Sequence, residues 1–176
     1  MGDLGKRLAE GDDRAFTEIV EQYSRRVYAL CYRVLRDEEE ARDMAQEVFV
    51  RVLTKRKSFR ASSEVYTWIY RIALNMCLSA LRRRKINTVP IDQVEGLLPA
   101  GSRDQGDCPS HLEALVAQAI GHLPPKQRSV FVMRFYDKMA FREIAAAMGT
   151  SLGAAKANFH FAVERLRSLL GEVDAP

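Results

Sequence analysis

The sequence has few cysteines and no long apolar run. Cys31, Cys77 and Cys108 are odd in number and form no Cys-x-x-Cys pair, so a disulfide framework or a zinc site is not expected. No apolar segment approaches the about 20 residues of a membrane span. The charged amino terminus lacks the apolar core of a signal peptide. We therefore expect a cytoplasmic protein without membrane insertion and without a bound metal.

Signatures of catalysis are also absent from the sequence. The three histidines are scattered, and there is no His-Glu-x-x-His motif and no glycine-rich phosphate loop. The acidic cluster Glu38, Glu39 and Glu40 lies at a predicted helix start, where the helix macrodipole accounts for it. We expect no enzymatic activity, no catalytic residues and no cofactor.

The composition is that of an ordinary globular chain. Of its 176 residues, 47% are hydrophobic and 28% are charged, which suits one or two small domains. The net charge at pH 7 is +4. This mild excess permits a polyanionic partner but does not require one.

Apolar residues recur at helical spacing in two blocks. The first block runs from about Arg14 to Lys85, and the second begins at Ser110. Residues 86–109 lose the periodicity and contain three prolines and three glycines, which is typical of a flexible linker. With no strand signal, the pattern predicts an all-α chain of two small helical domains, residues 1–85 and 110–176.

The stretch from Ala140 to Phe161 has the pattern of a helix-turn-helix. Gly149 is suited to a turn with positive φ, and Thr150 or Ser151 is suited to cap the next helix. Ala140 stands where a Ser or Thr cap of the first helix would be expected. The residues expected to face the interior are Ile144, Ala145 and Met148 on the first helix, and Leu152, Ala155, Phe159 and Leu166 on the second.

Polar side chains lie on the outward face of the second helix. They are Lys156, Asn158 and His160, whose side chains are long enough to reach a partner. A lysine reaches phosphate or guanine, and an asparagine can pair with an adenine edge in the major groove. From the pattern alone, a helical hairpin with an ordinary solvated face stays open as the alternative.

Aromatic and basic residues alternate in the first block, between about residues 59 and 85. Single-stranded nucleic acid is held by stacking on aromatic rings within a positively charged groove. Trp68 also lies on an apolar stripe, so packing in the core is its competing role. The basic run at residues 82–85 is equally typical of a solvated helix end.

Three segments that occur in a fixed order along the chain together identify a family. They are "DMAQEVFVRVL", "YTWIYRIALNMCLSALRRRK" and "LPPKQRSVFVMRFYDKMAFREIAAAMGTSLGAAKANFHFAVERLR". The chain resembles the extracytoplasmic-function (ECF) sigma factors of bacterial RNA polymerase over about residues 15–170. A helix-turn-helix alone would be generic.

The resemblance implies a division of labour. Residues 1–85 would form sigma region 2, which binds the β′ clamp helices of core RNA polymerase and melts the minus-ten promoter element. Residues 86–109 would be the linker. Residues 110–176 would form region 4, which binds the minus-thirty-five element as duplex promoter DNA and touches the β flap. An anti-sigma factor is a further expected partner.

The resemblance also implies site residues. The polymerase-binding residues would be Asp43, Gln46 and Glu47. The minus-ten residues would be Phe59, Arg60, Ala61, Ser62, Ser63, Trp68 and Asn75. The minus-thirty-five residues would be Arg134, Ser151, Lys156, Asn158 and His160. Many family members carry a further Arg or Lys at the positions of Asn158, Phe161 or Val163. This chain has fewer positive charges there, so we expect its second domain alone to bind promoter DNA weakly.

A different class of function fits the same helix-turn-helix. A stand-alone transcriptional regulator would bind duplex DNA without polymerase and use the first block to dimerise or to sense a ligand. Because dimeric readers match two-fold sites, it would prefer palindromic duplex.

Overall fold

The structure, a computed structural model, describes residues 2–60, 64–87 and 111–171, and these ranges contain helices and turns but no strand. The predicted all-α fold is therefore confirmed. The helices are α1 Gly2–Glu10, α2 Asp13–Leu35, α3 Glu38–Thr54, α4 Val65–Asn87, α5 His111–Gly121, α6 Pro125–Phe135, α7 Phe141–Met148 and α8 Leu152–Gly171, with a 3-10 turn at Arg56–Ser58.

Short polar side chains begin α2 and α3. The Asp12 carboxylate accepts a hydrogen bond from the Arg14 backbone N–H at 2.9 Å, and Asp37 accepts one from that of Glu40 at 2.9 Å. Both satisfy amide groups that a helix leaves without an internal partner. Arg36 closes α2 in the left-handed conformation, with φ 61°. The helix start predicted at Glu38, Glu39 and Glu40 is confirmed.

Helix α1 was not predicted from the sequence. Only a few apolar residues occur in its nine positions, too few for a clear period. Leu8 is nevertheless fully buried, and Gly5 lies directly against the Phe59 ring. A Cβ atom at Gly5 would stand 2.5 Å from Phe59 Cε1, so only glycine lets α1 approach this closely.

The other predicted boundaries are close to those observed. Helix α4 ends at Asn87, two residues beyond the predicted block. Pro125 is the first residue of α6, where its missing N–H costs no hydrogen bond. Ser110, most of the predicted linker, and Ala61, Ser62 and Ser63 lie outside the described residues.

The two helical blocks share one hydrophobic core. Buried residues of α2, α3 and α4 form a continuous cluster with buried residues of α6, α7 and α8. Helix α7 packs against α4, and α6 packs against α2. The largest fully buried side chains on the two sides include Ile19, Leu30, Ile69, Leu74, Met133 and Ile144. The pattern alone predicts two modest separate cores, so this shared packing is a property that only the structure shows.

Two arginines link the blocks, and each donates to backbone carbonyls near the end of a helix in the other block. Arg128 of α6 donates to the Val34 carbonyl of α2 at 2.7 Å, and to the carbonyls of Gly121 and Leu123 at 2.6 and 3.1 Å. In the opposite direction, the Arg36 guanidinium donates to carbonyls of α5. The last carbonyls of a helix lack internal partners and carry partial negative charge, so both contacts are favourable.

Aromatic hydroxyls add polar contacts at the same interface. The Tyr66 hydroxyl of α4 donates to Glu143 of α7. The Tyr70 side chain lies next to Asp137, in the turn after α6. Arg33 of α2 lies 4.0 Å from the centre of the Tyr136 ring. The interface therefore mixes apolar packing with buried polar groups.

Asp137 should make stability depend on pH in a definite direction. Burial raises the pKa of its carboxyl, against the opposing effects of Arg33, Tyr70 and Arg26, and its Oδ2 atom is buried without a hydrogen-bond partner among the described residues. Because the folded pKa lies above the unfolded value, the folded state takes up the proton more readily. Lowering the pH from 7 towards 4 should therefore raise the Tm of the wild type relative to Asp137→Asn.

The measurement is a pair of thermal melts followed across this pH range. Glu10→Gln, which changes an exposed carboxylate, is the matched control and should track the wild type. If the difference in Tm between wild type and Asp137→Asn stays constant from pH 7 to 4, protonation of Asp137 does not contribute to the stability of the fold.

Candidate nucleic-acid interface

The helix-turn-helix forms as predicted around Gly149. This residue ends α7 with φ 61°, in the left-handed region that favours glycine. Of the two candidate caps, Ser151 is the one used: its Oγ accepts a hydrogen bond from the Ala154 N–H at 3.1 Å. The cap sets the first turn of α8, and with it the direction in which every later side chain points.

Helix α7 begins without a Ser or Thr cap, but Glu143 compensates in part. Its Oε2 atom accepts a hydrogen bond from the Ala140 backbone N–H at 2.6 Å, which is half of a capping box. Its other carboxylate oxygen accepts the hydrogen bond from Tyr66. Glu143 therefore starts α7 and fastens it to α4 at the same time.

The buried side of the hairpin agrees with the prediction in part. Ile144, Ala145 and Ala155 are buried, as expected, and Leu166 is buried in a second cluster with α5 and α6. The prediction for Leu152 was wrong: it is 37% exposed, because it is the first residue of α8 and lies at the edge of the contact. Met148 and Phe159 are half-buried. Ala147 is fully buried, and its small side chain suits the close packing of α7 on α4.

The outward face of α8 exposes two of the predicted polar residues. Lys156 and His160 are exposed and, four residues apart, share one face of the helix. Asn158 is half-buried, and its Nδ2 atom donates to the Ala154 carbonyl at 2.8 Å, along its own helix. Ala157 and Phe161 are exposed beside the two polar residues.

Arg134 is held within the second block. Its Nη1 atom donates to the Met139 carbonyl at 2.9 Å, and its guanidinium lies 5.0 Å from the centre of the Phe141 ring. It therefore braces the turn that leads from α6 into α7. Of the five residues predicted for the duplex, Lys156 and His160 are exposed, and Ser151 is exposed while it caps α8. Arg134 and Asn158 are half-buried and donate to backbone carbonyls of the protein.

In the first block, Phe59 is an anchor for the segment predicted to meet single-stranded DNA. It is 8% exposed and meets Trp68 edge to face, with ring centres 5.4 Å apart. Trp68 is half-buried, which agrees with its place on the apolar stripe. Arg60, the next residue, is exposed. The buried ring thus fixes the position of the chain just before Arg60.

A groove between α3 and α4 brings together residues predicted for different partners. It has a volume of about 540 Å³ and is lined by Asp43, Glu47 and Asn75, with Met44, Ile72 and Arg83 among the others. Gln46 is exposed on the same helix as Asp43. Two of the three predicted polymerase-binding residues, Asp43 and Glu47, and the predicted minus-ten residue Asn75 therefore line one groove.

Both halves of the chain match one family of proteins. The family model for sigma-70 region 2 matches residues 19–86, and that for sigma-70 region 4 matches residues 113–166. The chain is 32% identical to the ECF RNA polymerase sigma factor SigW of Bacillus subtilis, over 96% of this chain and 95% of SigW. This chain belongs to the ECF family of RNA polymerase sigma factors. It is also 30% identical to the RNA polymerase sigma-H factor of Pseudomonas aeruginosa, over 95% of this chain and 92% of that protein.

The fold of this sigma factor is that of solved relatives. It superposes on the sigma factor RpoE of Bartonella quintana, solved in complex with the anti-sigma factor NepR, with a TM-score of 0.73 at 21% identity, covering 91% of this chain and 98% of that one. Within the described ranges, no helix of the sigma factor is long and apolar enough to cross a bilayer.

Sequence reasoning missed the residues that join region 2 to region 4. Arg36, Arg128 and Glu143 make their decisive contacts with backbone carbonyls or a tyrosine hydroxyl far away in sequence. No periodic pattern identifies such partners. One indirect signal exists: Gly121, the last residue of α5, has no Cβ, and a Cβ there would overlap the Arg36 guanidinium.

Proposed function

We propose that this sigma factor binds core RNA polymerase and directs transcription from specific promoters, as a non-catalytic cytoplasmic subunit. The match to SigW along nearly the whole chain carries the proposal, because it joins a region 2 and a region 4 in one polypeptide. The proposed boundaries are residues 1–85 for region 2, 86–109 for the linker and 110–176 for region 4.

The polymerase contact is proposed for the exposed face of α3. Asp43, Gln46 and Glu47 are exposed there, directly above the buried residues Val48 and Phe49. Glu47 pairs with Arg51 at 3.1 Å, whereas Asp43 has no ion-pair partner among the described residues. A polar helix face held by a rigid core suits a helical partner such as the β′ clamp helices of the polymerase.

The minus-ten element is proposed to bind at the segment that begins at Phe59. The Phe59 ring packs on Trp68 and so fixes the start of this segment, and Arg60 next to it is exposed. Asn75 lines the groove between α3 and α4. A base removed from the duplex stack needs a shaped pocket and polar edges to replace its lost contacts. The groove between α3 and α4 offers both, and Ala61, Ser62 and Ser63 are proposed to contribute as well.

The minus-thirty-five element is proposed to bind along α8. Lys156 and His160 face solvent on the outward side, in the first turns of a helix-turn-helix recognition helix, which is the part that meets base edges. Ser151 and Asn158 make hydrogen bonds within α8, and Arg134 braces the turn from α6 into α7. The β flap is the second proposed partner of this domain.

An anti-sigma factor is a further proposed partner. The RpoE structure is a complex with the anti-sigma factor NepR, and it shares this fold over nearly the full chain. A protein partner of this kind would act by covering surfaces that the polymerase or the promoter needs.

Replacing both Asp43 and Gln46 with alanine tests the polymerase contact. We expect binding to core polymerase to weaken by about 30-fold, because loss of two central polar contacts costs about 2 kcal/mol. The measurement is a titration of labelled sigma factor with core enzyme.

The matched control is Glu21→Ala with Gln22→Ala, which removes an acid and an amide from an exposed face of α2. The control should bind core polymerase as the wild type does. Unchanged core binding by the α3 double variant would remove α3 from the polymerase interface. Tight binding of the free chain to palindromic duplex would instead favour a stand-alone regulator.

A further inference from the structure

Phe161 is an apolar ring placed on the outward side of α8. It is 57% exposed, which makes it the most exposed aromatic side chain among the described residues. Phe135 and Tyr136, the other exposed aromatic residues, are 49% and 37% exposed and meet each other edge to face. Phe161 thus stands out from the fold more than any comparable ring.

The hairpin does not need this ring for its own packing. Phe159, two residues earlier, makes the ring contacts that hold α8, with Phe131 and Phe141 at 6.0 and 5.5 Å between ring centres. The ring neighbour of Phe161 is exposed His160, 6.1 Å away between ring centres. The packing role in this part of the helix is therefore filled by Phe159.

Phe161 directly follows His160, which the proposed function places at the promoter. The helix starts at Leu152, so Phe161 is its tenth residue and lies about 14 Å along the axis from the first. Ala157 is exposed one turn before it, on the same face. The methyl group of Ala157 and the ring of Phe161 therefore form a small apolar patch beside Lys156 and His160.

An apolar patch of this kind suits one group in the major groove, the 5-methyl group of thymine. A phenyl ring and a methyl side chain offer no hydrogen bond to a purine edge, but both make favourable contact with the 5-methyl group, which thymine alone among the four bases carries. Such a contact also removes the exposed ring from water.

We propose that Phe161, with Ala157 beside it, is a specificity-determining residue that contacts the 5-methyl group of a thymine in the minus-thirty-five element. The inference rests on the proposed function, in which region 4 reads this element as duplex. It adds an apolar reading residue to the polar pair Lys156 and His160.

The test removes single methyl groups from the DNA. A preferred upstream element is first selected from a promoter library with the holoenzyme, and each of its thymines is then replaced, one at a time, by deoxyuridine. At one thymine or two adjacent ones, we expect the affinity of wild-type holoenzyme to fall about four-fold, as for one methyl group returned to water. Elsewhere, the replacement should change nothing.

Variants at Phe161 connect the missing methyl group to this side chain. Phe161→Ala should lose a similar factor on thymine-containing DNA and become insensitive to deoxyuridine at that position only, whereas Phe161→Leu should keep the sensitivity. Arg167→Ala, an exposed change two turns further along α8, should behave as the wild type. Equal core binding and equal helical circular dichroism show that the variants fold.

The possible failures separate the two ideas. If the upstream element is needed but no deoxyuridine weakens binding, or if Phe161→Ala keeps the wild-type pattern, the inference is wrong and the proposed function stands. If Phe161→Ala loses core binding, the ring belongs to the polymerase interface and the inference is again wrong. If exchanging the whole upstream element leaves the affinity unchanged, the proposed role of region 4 itself fails.

Discussion

Replacing Lys156 and His160 together with alanine should lower the affinity of the holoenzyme for its promoter by about 100-fold. These side chains are the exposed polar pair on the reading face of α8. Each good contact with a base edge is worth about 1–3 kcal/mol, so losing two costs about 3 kcal/mol. Because both residues point away from the core, the fold and the binding of core polymerase should be unchanged.

Run-off transcription and core pull-down together check this expectation. Arg167→Ala is the matched control: it removes a cation from the same helix, about 16 Å beyond Lys156 along the axis, and should change transcription less than two-fold. A double variant that no longer binds core polymerase would show that Lys156 and His160 do not act at the promoter.

Arg128→Met should produce the largest loss of stability, about 3 kcal/mol. The guanidinium donates to three carbonyls at helix ends, one of them in region 2. Its charge is costly, since burial together with nearby Arg36 lowers the pKa of Arg128 to about 10. Each buried carbonyl left without a donor costs about 1–3 kcal/mol, however, and three of them outweigh the desolvation recovered. Methionine keeps most of the side-chain volume, so the loss reports hydrogen bonds rather than a cavity.

Thermal or urea unfolding at pH 7 measures this loss, which should appear as a fall in Tm of about 6–12 °C. Arg42→Met is the control, because Arg42 forms an exposed ion pair with Glu38 one turn away, and such pairs contribute about 0.5 kcal/mol or less. Equal stability of the two variants would mean that the link from Arg128 to Val34 adds nothing to folding.

Much of the helical architecture follows from local pattern. Apolar residues at three- and four-residue spacing predicted the two helical blocks, and Gly149 with a following Thr or Ser predicted the helix-turn-helix. These signals are local because a helix buries one stripe and solvates the other, whatever it packs against. Helix α1 was not predicted because two leucines, Leu4 and Leu8, are too few to show a helical period. Leu152 was wrongly predicted to be buried because the apolar pattern of a helix does not show at which residue its contact with the next helix begins.

The candidate site was predictable in type more than in detail. The sequence pattern identified Lys156 and His160 as outward residues, and the structure exposes both. The same pattern could not show that Asn158 turns to the Ala154 carbonyl or that Arg134 reaches the Met139 carbonyl. Long polar side chains reach whichever acceptor the fold brings near, and that acceptor is a backbone group with no signature in the sequence.

By itself, the sequence determined the two helical blocks, the turn at Gly149 and the membership in the ECF sigma factors. Only the tertiary structure decided that α7 packs on α4 and that Arg36 and Arg128 each cap a helix of the other block. The physical reason is one of range. Helical periodicity and caps depend on neighbours within a few residues, whereas the carbonyls at a helix end are alike in every sequence and become partners only when the chain path brings a donor to them.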